Sequence, residues 1–365
     1  ALLIGCYSLA FLERVPDFAA VNEAVRAVER ASGPRVAGFA NAVLRRLAAE
    51  RASAVDLATA AELALAPFLR EALTRSGTPP RELLLAHETP PLCLCLRAGE
   101  SRDAWLEELR RARPPADGAS FEPGRLSPRA IVARGAGQPR ALPGAERAWI
   151  VQEEGAQLIA LALGARPGDV VLDACAGRGQ KALLLAEEVA PEGRVDVADR
   201  HPKKLEELRG RTARATLGAS HAVDWTVGTG AVPDGYARAL VDAPCSGTGT
   251  LRRRPEIALR LGPDDVRALA AQELAITRRV ATRVKDGGRL VYAVCSVLRE
   301  ECEDVVAALL ADAAPGVRLE LAPFDAAAAR ALAGDEPTLR LTPARHGTDG
   351  YFLASFVVRR PPAGG

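Results

Sequence analysis

Two stretches of this 365-residue chain end an apolar run on the pair Cys-Ser: ARALVDAPCSGTG, residues 237–249, and GRLVYAVCS, residues 288–296. A structural cysteine could fall anywhere along such a run. One just past the last apolar residue sits where a sheet opens to substrate. A thiolate is a strong nucleophile, and a free cysteine titrates at about 8.5. Beside a pyrimidine it can add to ring carbon C6 and make C5 electron-rich enough to attack a methyl sulfonium. A base must then remove the C5 proton and the thiolate must leave. One thiol suffices for addition, and a second can assist release. Cys245 and Cys295 are the candidates, while Cys175 and Cys302 read as buried or surface residues.

Ligands of a parallel sheet bind beyond the carboxyl ends of its strands. After the first apolar strand come Asp173-Ala-Cys175-Ala176-Gly177-Arg178-Gly179-Gln180-Lys181, after the second Asp199, and a shorter segment ends at Asp224. The next strand ends at Asp242, Pro244 and Cys245, and the last at Cys295 and Ser296. A glycine-bearing loop that opens a helix can cradle an anion or approach a nucleotide closely. With Gly177 and Gly179 alone the loop fails as a dinucleotide fingerprint. An acid after the second strand suits the two hydroxyls of a ribose, and Asp224 is placed to meet an adenine amino group. An adenosine cofactor without a pyrophosphate fits, and S-adenosylmethionine matches. Singly, each aspartate reads as a helix cap or turn residue; their joint placement at strand ends favours binding.

The elements that must position these groups follow from periodicity. Residues 1–52 read as helices only, with Leu2, Leu3, Leu9 and Leu12 on one apolar face and SGPR as a breaker. Residues 53–148 read as a helical linker and a small α+β module, in which PPLCLCLRAG and FEPGRLSPRAIVARG supply strands and AWLEELRRA a helix. Residues 149–362 alternate short apolar strands with helices, beginning with a helix over VQEEGAQLIALAL and closing on an antiparallel strand, YFLASFVVR. The expected fold class is α/β: a doubly wound, mostly parallel, Rossmann-like domain behind the α+β module and an all-helical domain.

Hydrophobic residues make up 48% and charged residues 26%, ordinary for a soluble globular chain. No apolar run reaches the roughly 18 residues of a membrane span. The opening ALLIGCYSLAFLERV reads as a helix, not a signal peptide, and with no methionine anywhere the N-terminus is expected to be incomplete. The seven cysteines and four histidines show no metal-ligand spacing, so no metal or disulfide framework is expected and a reducing cytoplasm fits. Net charge is only +2, but arginines cluster at 102–115, 251–260 and 276–284. Such clusters usually read as solvated faces. LRRRP is set apart because it follows a cysteine stretch. His346 reads equally as a loop residue or an RNA contact, His87, His201 and His221 as surface or packing residues, and Trp105, Trp149 and Trp225 are too scattered for a base-stacking platform.

LVDAPCSGTGTLRRRPEI and GGRLVYAVCSVLREE resemble motifs of the RNA cytosine-5 methyltransferases of the Nol/Nop/Sun family. ALPGAERAWIVQEEGAQL resembles that family's lead-in segment, RHGTDGYFLASF its closing motif, and NEAVRAVERASGPRVAGFANAVLRRL the end of a NusB-like helical domain. The combination is that of bacterial 16S ribosomal RNA cytosine-5 methyltransferases of the Sun/Fmu class. The resemblance implies Cys295 as nucleophile and Cys245 as the cysteine that helps release product. It implies S-adenosylmethionine held by Cys175 to Lys181, Asp199, Asp224 and Asp242, with Asp242 also meeting the base. DNA cytosine-5 methyltransferases attack with the Pro-Cys cysteine, here Cys245; they have no counterpart of Val294-Cys295-Ser296. The expected partner is 16S rRNA, bound by a cytoplasmic monomer with no membrane and no metal. The cofactor loop departs from the family's D-x-C-A-A-P-G-G-K at Arg178 and Gln180. That departure motivates an alternative, a non-catalytic rRNA-binding assembly factor with a decayed loop; a methyltransferase for DNA or a small molecule is a second.

Overall fold

The computed structural model describes residues 1–12, 15–50, 57–84, 89–114, 118–211 and 217–360; His87 lies outside them. It divides into two units, Ala1–Ala60 and Ala61–Gly365. In the first unit, helices Leu2–Phe11, Asp17–Ser32 and Pro34–Ala49 pack around Leu9, Val21, Ala24 and Leu44. Gly33, at φ +80°, and Pro34 make the break between the last two helices. The first helix does not bury the expected face. Leu2, Gly5, Cys6 and Leu9 point inward, whereas Leu3 is 84% exposed and Leu12 lies past the helix end. At 3.6 residues per turn, positions 2, 5, 6 and 9 share one side, and 3 does not.

In the second unit, four short strands form an antiparallel sheet in the order β2-β3-β1-β4: β1 Leu92–Leu96, β2 Ser120–Pro123, β3 Ala130–Arg134 and β4 Trp149–Val151. Helix Arg102–Ala112 covers it, capped by Ser101 and packing Leu106 and Leu109 on Phe121, Ile131 and Trp149. Trp149–Val151 pairs with β1, so this sheet runs past residue 148, and the helix expected from 151 begins at Glu154. Three residues are too few to display a strand period.

The larger sheet has the order β10-β12-β9-β8-β5-β6-β7, with β11 paired to β12. Strands β5 Val170–Asp173, β6 Arg194–Asp199, β7 Leu217–Ala222, β8 Tyr236–Asp242 and β9 Val284–Val294 run parallel. Strands β10 Arg318–Leu321, β11 Thr338–Leu341 and β12 Tyr351–Arg359 join antiparallel. Alternate residues feed two cores. Leu240 and Val291 face one side with Leu183 and Leu185; Val241 and Tyr292 face the other with Ile276 and Val280. Adjacent β8 and β9, in register at Asp242 and Ala293, bring both cysteine loops out at one edge. Among the described residues no helix is long and apolar enough to cross a membrane, and no cluster could hold a metal ion.

Candidate active site

The carboxyl ends of β5, β6, β8 and β9 open onto a cavity of about 440 Å³, a size usual for small-ligand sites. The loops after β8 and β9 are stitched together by Ala243 N donating to Ala293 O at 2.9 Å and Gly249 N to Cys295 O at 3.0 Å. Gly249 is required there, since a Cβ would lie 2.0 Å from Gly350 O. The result is a pair of half-buried thiols, Cys245 Sγ and Cys295 Sγ, 3.3 Å apart at the cavity wall. The hydrogen bond to Cys295, and then burial, push the Cys245 thiol up, so Cys245 keeps its proton.

Lys181 Nζ donates to Asp242 Oδ2 at 2.6 Å. Burial works against the ammonium, but the charge and hydrogen bond of Asp242, together with Asp173 nearby, outweigh it and Lys181 titrates above its ordinary value. Beneath this pair the Asp173 carboxyl is buried with no hydrogen-bond partner for either oxygen. Burial, then repulsion from Asp242, push it up to about 7.

The cofactor loop keeps its shape through two left-handed glycines, Gly177 at φ +55° and Gly179 at φ +77°. Gly179 caps helix Gln180–Val189 and has no room for a side chain; a Cβ would meet Leu208 at 2.1 Å. Gly177 N donates to Asp199 Oδ2 at 2.9 Å, and His201 N to Asp199 Oδ1 at 2.8 Å, which fixes the β6 carboxylate at the cavity wall. Asp224 Oδ1 accepts from Thr226 Oγ1 at 2.6 Å and Thr226 N at 2.8 Å, and these bonds hold the exposed carboxyl below its ordinary range.

Cys175, Gly177, Asp199, Asp224, Asp242, Cys245 and Cys295 therefore meet around one cavity. Ala176, Arg178, Gly179, Gln180 and Lys181 are not among its lining residues: Ala176 is buried, Arg178 is exposed, Gln180 Nε2 donates to Val151 O at 2.9 Å, and Lys181 reaches the cavity only through Asp242. Trp225 also lines the cavity, fixed by its Nε1 donating to Ala174 O at 2.8 Å. Sequence reasoning set it aside with the scattered tryptophans, although its position next to Asp224 was a usable signal. His201 is exposed at the cavity wall, and His346 lies in helix Pro343–His346, its Nδ1 accepting from Thr342 N.

Of the three LRRRP arginines, Arg254 is exposed beside Glu256, whereas Arg252 and Arg253 are claimed by Asp349. Arg252 Nε donates to Asp349 Oδ1 at 2.6 Å, both side chains 4% exposed, and Arg253 Nε donates to Asp349 Oδ2 at 2.8 Å. The cluster instead locks the segment after Cys245 to the RHGTDG segment. A carboxylate 97 residues away claims the charge, and composition alone cannot reveal such a partner.

Residues 160–357 match the family model for 16S rRNA methyltransferase RsmB/F, and residues 1–49 that of the NusB family. Ribosomal RNA small subunit methyltransferase B of Pseudomonas syringae pv. tomato is 34% identical, over 98% of this chain and 80% of the relative. The probable ribosomal RNA small subunit methyltransferase B of Bacillus subtilis is 30% identical, over 97% of this chain and 81% of the relative. In fold, the chain is similar to the crystal structure of NSun6 from Pyrococcus horikoshii, with TM-score 0.64 and 16% identity over 80% of this chain and 98% of that one. A further solved structure reaches TM-score 0.75 at 20% identity, over 97% of this chain and 80% of that one. With a helical NusB part ahead of a Rossmann-like sheet, and likeness in sequence along nearly its whole length, the chain belongs to the 16S rRNA methyltransferase RsmB/F family.

Proposed function

We propose that this protein transfers a methyl group from S-adenosylmethionine to C5 of a cytosine in 16S rRNA, through a transient bond between Cys295 and C6 of the base. The observation that carries this reading is the thiol pair, 3.3 Å apart, at the wall of a cavity also lined by Asp199, Asp224 and Asp242. The named relatives act on small-subunit ribosomal RNA, which makes that RNA the substrate of choice.

The residues present fit the cofactor. Open space surrounds Gly177, and Trp225 offers an apolar wall. Asp199 would hold the ribose, Asp224 the adenine side, and the Cys175–Lys181 loop with Asp242 the amino-acid end. When bound, S-adenosylmethionine supplies an electrophilic methyl carbon.

This chain's own groups do the rest. The Cys295 thiolate forms the S–C6 bond and pushes electron density onto C5. Cys245 retains its proton beside Cys295 and donates to the leaving sulfur. Once a base has taken the C5 proton, the S–C6 bond breaks and the thiolate returns. Asp242, held by Lys181, would offer the base an acceptor at the cavity wall. The target must leave its stack to reach Cys295. The NusB-like helices and the small α+β module would position the RNA, largely through phosphate contacts that weaken with salt. The departures at 178 and 180 do not favour a non-catalytic reading, because Arg178 is exposed and Gln180 is tied to Val151 O.

The test is transfer of labelled methyl from S-adenosylmethionine to small-subunit rRNA, followed by mapping of 5-methylcytosine. The expected result is one labelled cytosine with rRNA and none with duplex DNA. Cys295→Ala should abolish transfer while binding S-adenosylmethionine as wild type does. Undiminished turnover in Cys295→Ala, or label on another atom, would sink the reading.

A further inference from the structure

The two Cys-Ser pairs share one acceptor. Ser246 N donates to Glu301 Oε1 at 2.6 Å, and Ser246 Oγ and Ser296 Oγ both donate to Glu301 Oε2 at 2.5 Å. Each serine is one peptide bond from a reactive thiol. With both hydroxyl protons committed to the carboxylate, Ser296 Oγ is left to accept, and it does so from Leu298 N at 3.1 Å. Glu301 is fully buried, and three donors on one carboxylate are what make such burial tolerable.

A second carboxyl backs the first. Tyr292, three residues before Cys295, places its hydroxyl 2.6 Å from the Glu301 carbonyl and 2.9 Å from Glu273 Oε2. A phenol has one proton to give. Both the Glu301 carbonyl and Glu273 Oε2 lie within reach of it. Burial, then repulsion from Glu301, push the Glu273 carboxyl up to about 10. Helix Pro263–Ala281, β9 and the turn Arg299–Glu301 are thereby joined beneath the thiols.

We propose that Glu301 is a positioning residue: by accepting from Ser246 and Ser296 together, its carboxylate sets the separation of the Cys245 and Cys295 thiols on which product release depends. This rests on the covalent reading above. It also answers why the Cys-Ser pair occurs twice, since each serine is the handle by which one carboxylate holds one thiol.

The test uses two readouts on Glu301→Ala and Glu301→Gln. The first involves no RNA: phenylarsine oxide bridges two adjacent thiols through one arsenic, with loss of one water, and bridging is followed by mass. Wild type should bridge rapidly, Glu301→Ala slowly, and Glu301→Gln, which keeps an acceptor for Ser246 N, in between; Cys245→Ala should not bridge. The second is turnover on rRNA. In Glu301→Ala, kcat should fall about 10²-fold, the scale of a 1 Å misplacement, with KM for S-adenosylmethionine unchanged and a covalent RNA adduct accumulating on a denaturing gel. If Glu301→Ala does not fold, Ser296→Ala, which withdraws one donor and leaves the carboxylate, should show the same slowed bridging and the same adduct. Bridging at the wild-type rate in the variants overturns the positioning role even if methylation proceeds as proposed. Slowed bridging with wild-type kcat removes the link between thiol separation and release.

Discussion

Two thiols 3.3 Å apart would compete for one task if both shed their protons equally easily. The Cys245 thiol is pushed up by its hydrogen bond to Cys295 and by burial, which suits it to the proton-carrying role proposed above. Glu273 illustrates the same physics away from the substrate. Its carboxyl rises from 4.5 to about 10, so the folded state holds a proton that the unfolded chain releases. The stability this contributes is complete below about pH 4.5, declines as pH rises and is lost past about pH 10. Glu273→Gln, which keeps an oxygen to accept from Tyr292, removes that dependence. Between about pH 5 and pH 9, urea denaturation should show wild type losing stability relative to the variant by up to about 1.4 kcal/mol per pH unit. Parallel stability curves would contradict a proton held on Glu273.

At the level of elements, the cofactor loop depends on backbone shape more than on its side chains. Gly179 is left-handed with Leu208 against the place a Cβ would take, while Arg178 points into solvent. Gly179→Ala should therefore abolish the rise in melting temperature that S-adenosylmethionine gives, and Arg178→Ala should preserve it. At one hundred times Kd that stabilisation is about 2.7 kcal/mol. Equal responses from the two variants would contradict this account. The strand ends carrying Asp199, Asp242, Cys245 and Cys295 were legible, because short apolar runs bounded by turn residues have a period of their own. Less legible was what each loop residue does. Ala176 and Gln180 sit in the loop expected to bind, yet one is buried and the other holds Val151 O. Strand β4 went unseen as a strand because its pairing with β1, 55 residues or so upstream, leaves no trace in three residues.

Over the whole molecule, the order of a helical part, a small α+β module and a parallel sheet was readable from periodicity and motifs, and the family comparison agrees for the helical part and the parallel sheet. What failed to read were pairings across long separations. Arg252 and Arg253 look like an RNA-binding cluster until Asp349 is found against them. Glu301 looks like one acid in Arg-Glu-Glu until both serines are found on it. The first helix was assigned the wrong face because Leu3 is apolar but out of phase with Leu9, and Leu12 lies past the helix end. Such contacts form only when the sheet brings β8 beside β9, and that juxtaposition is also what makes the thiol pair.

Everything at the site turns on which sulfur bonds the base. The decisive measurement is to incubate Cys245→Ala with 16S rRNA and S-adenosylmethionine, isolate the slowed protein–RNA band from a denaturing gel, digest it, and locate the modified pyrimidine by mass spectrometry. The account predicts a stable adduct carried by Cys295, with a methyl group already on the base. A variant that forms no adduct and methylates nothing would mark Cys245 as the nucleophile and contradict the account.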